Sequence, residues 1–404
     1  MISVEEALSR LLAPLEPLPY EQISLAEGLG RVLAEDVAAR RTQPPFAVSA
    51  MDGYAVRAED VERVPVELRI VAEVPAGAGF GGHVALGEAA RIFTGAPLPA
   101  GTDTIIIQED TQRDGDRVRV LKGAPRGRYV RREGLDFAEG DVLLRAKRRL
   151  TARDIGLLAA MNRPWLLVHR RPRIGILSTG DEIVMPGDPI GPHQIVSSNS
   201  LALAAFVTAC GGTPVSVGNA PDDPAALRRI AAATRGVDLL VTTGGASVGE
   251  HDLVREALAA DGLELDFWQI AMRPGKPLMV GSYHGTPMIG LPGNPVSTLV
   301  CALLFLRPAL DRLSGNDEPL GGTPTARLGV PLRKNDRRQD YLRSRLAHAV
   351  DGELEVFPFE LQDSSMMRLL SAADCLVVRP PHAPAVDAGA RVPIVQFPGG
   401  AQPI

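Results

Sequence analysis

Residues 172–313 constrain the fold most, because short apolar runs alternate there with helical patterns and the runs end in glycine-bearing turns. The clearest case is Val237-Asp238-Leu239-Leu240-Val241-Thr242-Thr243-Gly244-Gly245-Ala246-Ser247. An unbroken apolar run after Asp238 predicts a strand buried on both faces, as in a parallel sheet. The paired glycines end it with a tight turn, and Leu253, Val254, Ala257 and Leu258 then recur at helical spacing. A strand at 174–177, helices at 199–210 and 224–233, strands at 215–217, 265–271, 278–281 and 288–291, and a helix reaching 313 repeat the scheme. Such alternation predicts βαβ units and a mostly parallel sheet, whose ligands sit where strand order reverses, beyond the carboxyl ends of the strands. Three further turns of this kind are Ser178-Thr179-Gly180-Asp181-Glu182, Pro274-Gly275-Lys276-Pro277 and Pro292-Gly293-Asn294-Pro295. Taken singly, a Gly-Gly turn is equally a structural turn. Charged residues on several of these turns are what point to a site.

The flanking sequence is different in kind. Ser3-x-x-Glu6 is a capping-box pattern opening a helix, a strand is expected near 22–24, and the pattern over 25–34 predicts a second helix. Residues 65–140 alternate like short strands at 66–73, 90–93, 104–109 and 117–120, which predicts a β-rich insertion. The basic run Arg126, Arg128, Arg131 and Arg132 reads as a solvated face. A helix over 151–162 follows. After a Gly- and Pro-rich joint, candidate strands at 327–332, 341–347, 354–359, 376–379 and 392–397 predict a small barrel or sandwich.

Composition excludes several functions. With 48 acidic against 43 basic residues and only 4% aromatics, nothing favours nucleic-acid binding. No apolar run approaches the roughly 18–20 residues of a membrane span, and the N-terminal residues are not a signal sequence, so a cytoplasmic protein is expected. Cys210, Cys301 and Cys375 have neither zinc nor disulfide spacing. At 404 residues the chain is expected to form about two to four domains.

Two motif matches fail on context. Gly245-Ala246-Ser247-Val248-Gly249 has the form of a nucleophile elbow, but no later histidine lies in a persuasive loop. Gly275-Lys276 is not a phosphate-binding P-loop, because Ile270 stands at the first glycine position and Pro277 at the hydroxyl position. What remains is a consistent chemistry: carboxylates at Asp181, Glu182 and Asp252, suited to Mg²⁺; cations at Arg273, Lys276 and Arg343, suited to oxyanions; and backbone donors at residues 244–247.

Five blocks, Ser49-Ala50-Met51-Asp52-Gly53-Tyr54-Ala55, Ser178-Thr179-Gly180-Asp181-Glu182, Thr243 through Asp252, Pro274-Gly275-Lys276-Pro277 and Leu291-Pro292-Gly293-Asn294-Pro295-Val296-Ser297, together resemble the signature blocks of the molybdopterin molybdenumtransferase family, which includes bacterial MoeA and the gephyrin E domain. The match follows the family order along nearly the whole chain. It implies a multidomain α/β plus β protein: an elongated helical N-terminal domain (1–45 and 141–171), an inserted β domain (46–140), a molybdopterin-binding-like α/β domain (172–318) and a C-terminal β-barrel (319–404). It also implies insertion of molybdenum from molybdate into adenylylated molybdopterin (molybdopterin-AMP), with release of AMP and help from Mg²⁺. A homodimer is implied, with Asp52 reaching the site from the second copy, and other proteins of molybdenum-cofactor biosynthesis as further partners.

The resemblance assigns Asp52, Glu182, Asp252 and Lys276 to catalysis, and Asp181, Glu182 and Asp252 to the metal. It gives Thr179, Gly180, Asp181, Thr243, Gly244, Gly245, Ala246, Ser247, Pro292 and Asn294 to the pterin ligand and its phosphates. Molybdate falls to Arg273, Lys276, Pro277, Ser297, Arg343 and Ser365. Arg273 stands where the family often has lysine, and its planar fork holds an oxyanion differently from an ammonium. Molybdopterin adenylyltransferase, which shares the α/β domain, and a non-catalytic gephyrin-like scaffold are the alternatives.

Overall fold

The computed structural model of the protein describes residues 1–244, 253–316 and 324–397. The chain divides into two compact units: Met1–Glu35, Ala146–Ala152 and Leu166–Ile404 form one, and Asp36–Arg145 with Arg153–Trp165 the other.

The first unit is built on a six-stranded sheet whose spatial order is Thr213–Ala220, Arg173–Thr179, Leu239–Thr243, Thr286–Leu291, Met279–Tyr283, Leu263–Phe267. The first four of these pair in parallel, and Met279–Tyr283 runs antiparallel to both of its neighbours. The mostly parallel sheet is therefore as expected. All five residues of Leu239–Thr243 are buried, and their alternation serves two layers. Leu239 and Val241 join a core with Ile176, Leu203, Val207 and Val300, while Leu240 joins Leu227, Val254 and Leu258 in another. Each such aliphatic side chain contributes about 1.5–3 kcal/mol by leaving water, which is why this run can only be a central strand.

The start of the strand is fixed by charge. Asp238 accepts from Arg170 Nη1 (2.7 Å) and Nη2 (2.6 Å) and from the Arg173 backbone N–H (2.8 Å), so one carboxylate aligns two adjacent strands. Helices Asn199–Ala209, Pro224–Ala232, Leu253–Ala259 and Pro295–Cys301 cover the sheet. The helix expected to reach residue 313 passes through a π segment, Ala302–Leu306, before Arg307–Leu313. Pro308, which has no N–H to donate, sits just beyond that widened turn.

The N-terminal segment supplies the helix Val4–Leu12, with the Ser3 hydroxyl accepting from Glu6 N–H at 3.1 Å. The helix predicted over 25–34 does not form; only the 3₁₀ turn Leu25–Glu27 does. Gly28 caps that turn and Gly30 takes φ +73°, after which Val32 and Leu33 bridge Arg149 and Val168 as extended chain. Two glycines in three residues outweigh the apolar spacing that suggested a helix.

The C-terminal part of this unit is a closed five-stranded barrel. Gln339–His348 pairs with both Leu354–Pro358 and Cys375–Arg379, and the ring closes through Thr325–Leu328 and Arg391–Gln396. Leu328, Val356, Val377 and Ile394 fill it.

The second unit carries the β-rich insertion as a six-stranded sheet ordered Thr104–Ile107, Gly53–Val56, Glu88–Ile92, Val66–Val74, Arg117–Val120, Thr111–Asp114. Gly53–Val56 lies inside it with every residue buried, Tyr54 and Val56 facing one core and Ala55 the other. Among the described residues, no helix is long and apolar enough to cross a membrane.

Gly53 is required for packing rather than for a turn. Its backbone is not in the left-handed region, but a Cβ there would fall onto the Ile106 carbonyl oxygen of the adjacent strand. Gly53→Ala should therefore destabilise the protein by about 1–3 kcal/mol, the usual cost of overpacking, read as a lower urea midpoint at unchanged slope. An unchanged midpoint would show that the two strands can separate freely.

Candidate functional site

Three strand ends build the site. Arg173–Thr179 and Leu239–Thr243 are neighbours, and the next strand of this sheet along the chain, Thr213–Ala220, lies on the other side of Arg173–Thr179. Strand order therefore reverses between the two, and their carboxyl ends open a crevice. The turns that leave them need glycine. Gly180 has φ +128° and Gly244 φ +93°. A Cβ on Gly244 would meet the Thr179 carbonyl oxygen, and one on Gly293 would lie 3.6 Å from Gly244 Cα. The Gly244 turn thus meets both the Thr179 strand end and the Gly293 turn through bare backbone.

Asn199, at the start of its helix, locks this arrangement. Its Nδ2 donates to Thr243 Oγ1 (3.0 Å) and to the Gly293 carbonyl (2.7 Å). Thr298 Oγ1 donates to the Pro292 carbonyl at 2.6 Å, which holds the Pro292-Gly293 turn from the helix side. The sequence reading gave Asn199 no role beyond starting a helix. A carboxamide directly following a strand-to-helix turn is the signal that could have found it.

The resulting cleft has a volume of about 890 Å³. Of the expected site residues, Thr179, Glu182, Thr243 and Gly244 line one side, and Pro277, Pro292, Asn294 and Ser297 the other. Ser365 arrives from the barrel. The barrel loop is seated there by Asn294 Nδ2 donating to Ser364 Oγ (2.9 Å) and Val296 N–H donating to the Ser364 carbonyl (3.1 Å). At the floor, Ser178 Oγ and Thr179 Oγ1 are buried without a hydrogen-bond partner among the described residues, as is Asn219 Oδ1 on the adjoining strand. Unmet buried oxygens concentrated at one strand end are unusual and mark a place completed by ligand or water.

Asp181 and Glu182 leave this strand end exposed to solvent. Asp181 Oδ1 accepts from Asp222 N–H at 3.1 Å, and Glu182 folds back over Gly180. Among the described residues no group of three His, Cys, Asp or Glu side chains is placed to hold a metal. The hard carboxylate oxygens present are of the type Mg²⁺ takes together with water and phosphate. Gly245, Ala246, Ser247 and Asp252 lie outside the described residues.

The expected oxyanion residues divide into two groups. Gly275, at φ +110°, presses against Cys301 and Met272, so only glycine allows the turn that presents Lys276 and Pro277. The Lys276 ammonium has no partner among the described residues. Arg273, opposite Asp340 in the short parallel pairing with the barrel, is ion-paired to Asp336 and lies 3.5 Å from Asp340. Arg338 meets the same Asp336 at 3.4 Å and also donates its backbone N–H to it. The Asp336 carboxyl is held below its ordinary range by that backbone hydrogen bond first and by the two guanidiniums after it. Arg338 thus joins the cationic group, and only the strand register reveals it.

Arg343 is fully buried beneath the barrel loop instead of lining the cleft. Its Nη1 donates to the Asp363 carbonyl at 2.8 Å, and the Asp363 carboxylate accepts from Ser365 N–H (2.8 Å) and Oγ (2.6 Å).

Asp52 belongs to the second unit. Its Oδ1 accepts from Thr94 N–H and Oγ1, both at 2.7 Å, and these bonds hold the carboxyl below the usual carboxylate range. It is therefore fixed and ionised at neutral pH. Of the basic run, Arg126 pairs with Asp103 at 2.7 Å, Arg128 stacks over Tyr129, and Arg131 lines a cavity of about 830 Å³ with Arg41 and Phe46.

Comparison with known proteins matches this geometry to a family. Residues 2–162 match the MoeA N-terminal region (domain I and II), residues 175–312 the "Probable molybdopterin binding domain", and residues 325–397 the MoeA C-terminal region (domain IV). A molybdopterin molybdenumtransferase of Nostoc sp. is 38% identical over 94% of this chain and 89% of its own length. The protein of that name in Haemophilus influenzae is 32% identical over 98% of this chain and 99% of its own. A solved molybdopterin biosynthesis MoeA protein of Pyrococcus horikoshii is 33% identical and superposes with a TM-score of 0.82, covering 99% of this chain and all of the other. With three matched regions in order and full-length relatives above 30% identity, the chain belongs to the molybdopterin molybdenumtransferase (MoeA) family.

Proposed function

We propose that this chain inserts molybdenum from molybdate into adenylylated molybdopterin and releases AMP, as a cytoplasmic homodimer assisted by Mg²⁺. The observation that carries the reading is the convergence of the Gly180, Gly244 and Gly293 turns on one cleft, with unmet buried oxygens at its floor. The extra N- and C-terminal regions, absent from an adenylyltransferase built on the α/β domain alone, favour insertion over adenylylation.

On this reading the pterin ligand and its phosphates lie against Thr179, Gly180, Thr243, Gly244, Pro292 and Asn294, where backbone can approach closely. Asp181 and Glu182 would hold the Mg²⁺, which when bound supplies charge neutralisation to the pyrophosphate. The oxyanion is taken by Pro277, Ser297 and Ser365 in the cleft wall and by the ammonium of Lys276, the residue before Pro277, which has no partner among the described residues. Arg273 and Arg338 share the neighbouring Asp336, so their charge is partly spent locally. Ser365 Oγ donates to Asp363, and it must rotate away to donate to an oxyanion. Arg343 acts through that loop, as a positioning residue. The gain in rate comes from holding two reactants in one cleft, so that their encounter becomes effectively unimolecular.

Lys276→Ala should raise the molybdate concentration needed for half-maximal insertion about tenfold to a hundredfold, the worth of a lost charge-assisted hydrogen bond. A molybdate dependence equal to that of the wild type removes Lys276 from the pocket.

Asp52→Ala should abolish single-turnover AMP release while leaving the protein folded. If Asp52 serves the cleft of a second copy, mixing Asp52→Ala with Lys276→Ala should restore activity at a molybdate concentration too low for Lys276→Ala alone to turn over. Half of the re-formed dimers would then carry one intact site, giving about a quarter of wild-type activity for random pairing in a two-fold dimer. No recovery on mixing would assign Asp52 to the cleft of its own chain.

A further inference from the structure

The barrel carries a second cavity of about 480 Å³, apart from the transfer cleft, whose wall includes Arg333, Lys334, Asp340, Phe359 and Arg379. None of the residues given a role in the reaction lines it. Arg379 is only 5% exposed. Its Nη2 donates to the carbonyl oxygens of Arg333 (3.3 Å) and Pro384, which fixes the guanidinium, and its buried Nε–H has no acceptor among the described residues. Asn335 and Gln362, also in the wall, are saturated. Asn335 Nδ2 donates to the Arg338, Arg379 and Pro380 carbonyls, and Gln362 bonds Arg343 and Phe359 through both of its amide atoms. The open donors are therefore Arg379 Nε and the exposed head groups of Lys334 and Arg333, which have no side-chain partner among the described residues.

Two carboxylates oppose them, Glu360 at the rim and Asp340, the cross-strand neighbour of Arg379, whose buried Oδ1 likewise has no hydrogen-bond partner among the described residues. Burial raises the Asp340 carboxyl, and Arg273 draws its charge from the other side. The three cations Arg333, Lys334 and Arg379 still outnumber the two carboxylates in the wall. Leu332, Leu342 and Phe359 provide the apolar part of the wall.

We propose that this cavity is a second oxyanion site, for a small carboxylate or phosphate ester with an apolar body. The anionic head meets Arg379 Nε and Lys334, and the body rests on Leu332, Leu342 and Phe359. A fixed buried guanidinium gives direction, and the flexible lysine at the rim gives capture.

Calorimetric titration of the full-length protein with benzoate, phenyl phosphate, inorganic phosphate and neutral benzamide tests this. Benzoate or phenyl phosphate should bind, and the tighter of the two identifies the head group. Lys334→Glu should weaken that binding about tenfold or more, as expected when an attractive charge becomes repulsive, and should leave molybdenum insertion unchanged. Lys276→Ala should not affect it, which separates this cavity from the cleft. Because Arg379→Ala removes bonds that hold two carbonyls and could unfold the barrel, the exposed Lys334 carries the test. Affinity for benzamide or inorganic phosphate equal to that for the organic anions, no binding at all, or binding indifferent to Lys334→Glu would overturn the proposal.

Discussion

The contact of three backbone turns at the carboxyl ends of the parallel strands governs the rest of the structure. Side chains could not meet there, because a Cβ on Gly244 would occupy the space of the Thr179 carbonyl oxygen. Glycine opens that space and weakens the turns, since it is the residue with most conformational freedom to lose. The Asn199 bridge to Thr243 and Gly293 offsets the loss by tying the turns to a helix. The cleft is thus a gap in backbone held open by one carboxamide and lined by hydroxyl oxygens left without a partner among the described residues.

The α/β layer and the barrel reach this cleft by different means. The sheet contributes backbone, whose positions follow from strand register and a core packed on both faces. The barrel contributes a loop placed by buried polar bonds: Arg343 to Asp363, Asp363 to Ser365, and Asn294 to Ser364. Carboxylates join the two parts, since Asp336 and Asp340 of the barrel segment hold Arg273 at the edge of the Pro-Gly-Lys-Pro turn. A charge that reads from the sequence as an oxyanion ligand is partly committed to this joint.

Much of this was legible in the sequence because it rests on local physics. The apolar run after Asp238 could only be a central strand, and the glycine turns could only follow it, so the fold class and the position of the cleft were both within reach. Gly53 shows where local reading falls short. An Asp-Gly pair is ordinarily a turn signal, whereas this glycine is there because Ile106, about 50 residues along the chain, passes too close for a side chain. Arg343 and Arg338 show the same limit. Both sit near the Tyr341 strand in sequence, but only the pairing of Arg273 with Asp340 shows which of them turns toward the cations of the Lys276 turn. The helix expected at 25–34 failed because apolar spacing was weighed above Gly28 and Gly30. Residues 245–247 and Asp252 lie beyond the described structure.

Closure of the barrel has a further consequence. Gln339–His348 is bonded along both edges and also reaches Met272–Arg273, so three separate pairings share a single register. Side chains alternate along a strand, and an offset of one position in the hairpin before Leu354 would turn Arg343 outward and carry Asp340 away from Arg273. Such an error would leave the barrel's hydrogen-bond ladder nearly complete while dismantling two polar anchors at once. Faithful alignment of one ten-residue strand is therefore inherited directly by the chemistry of a loop it never touches at its far end.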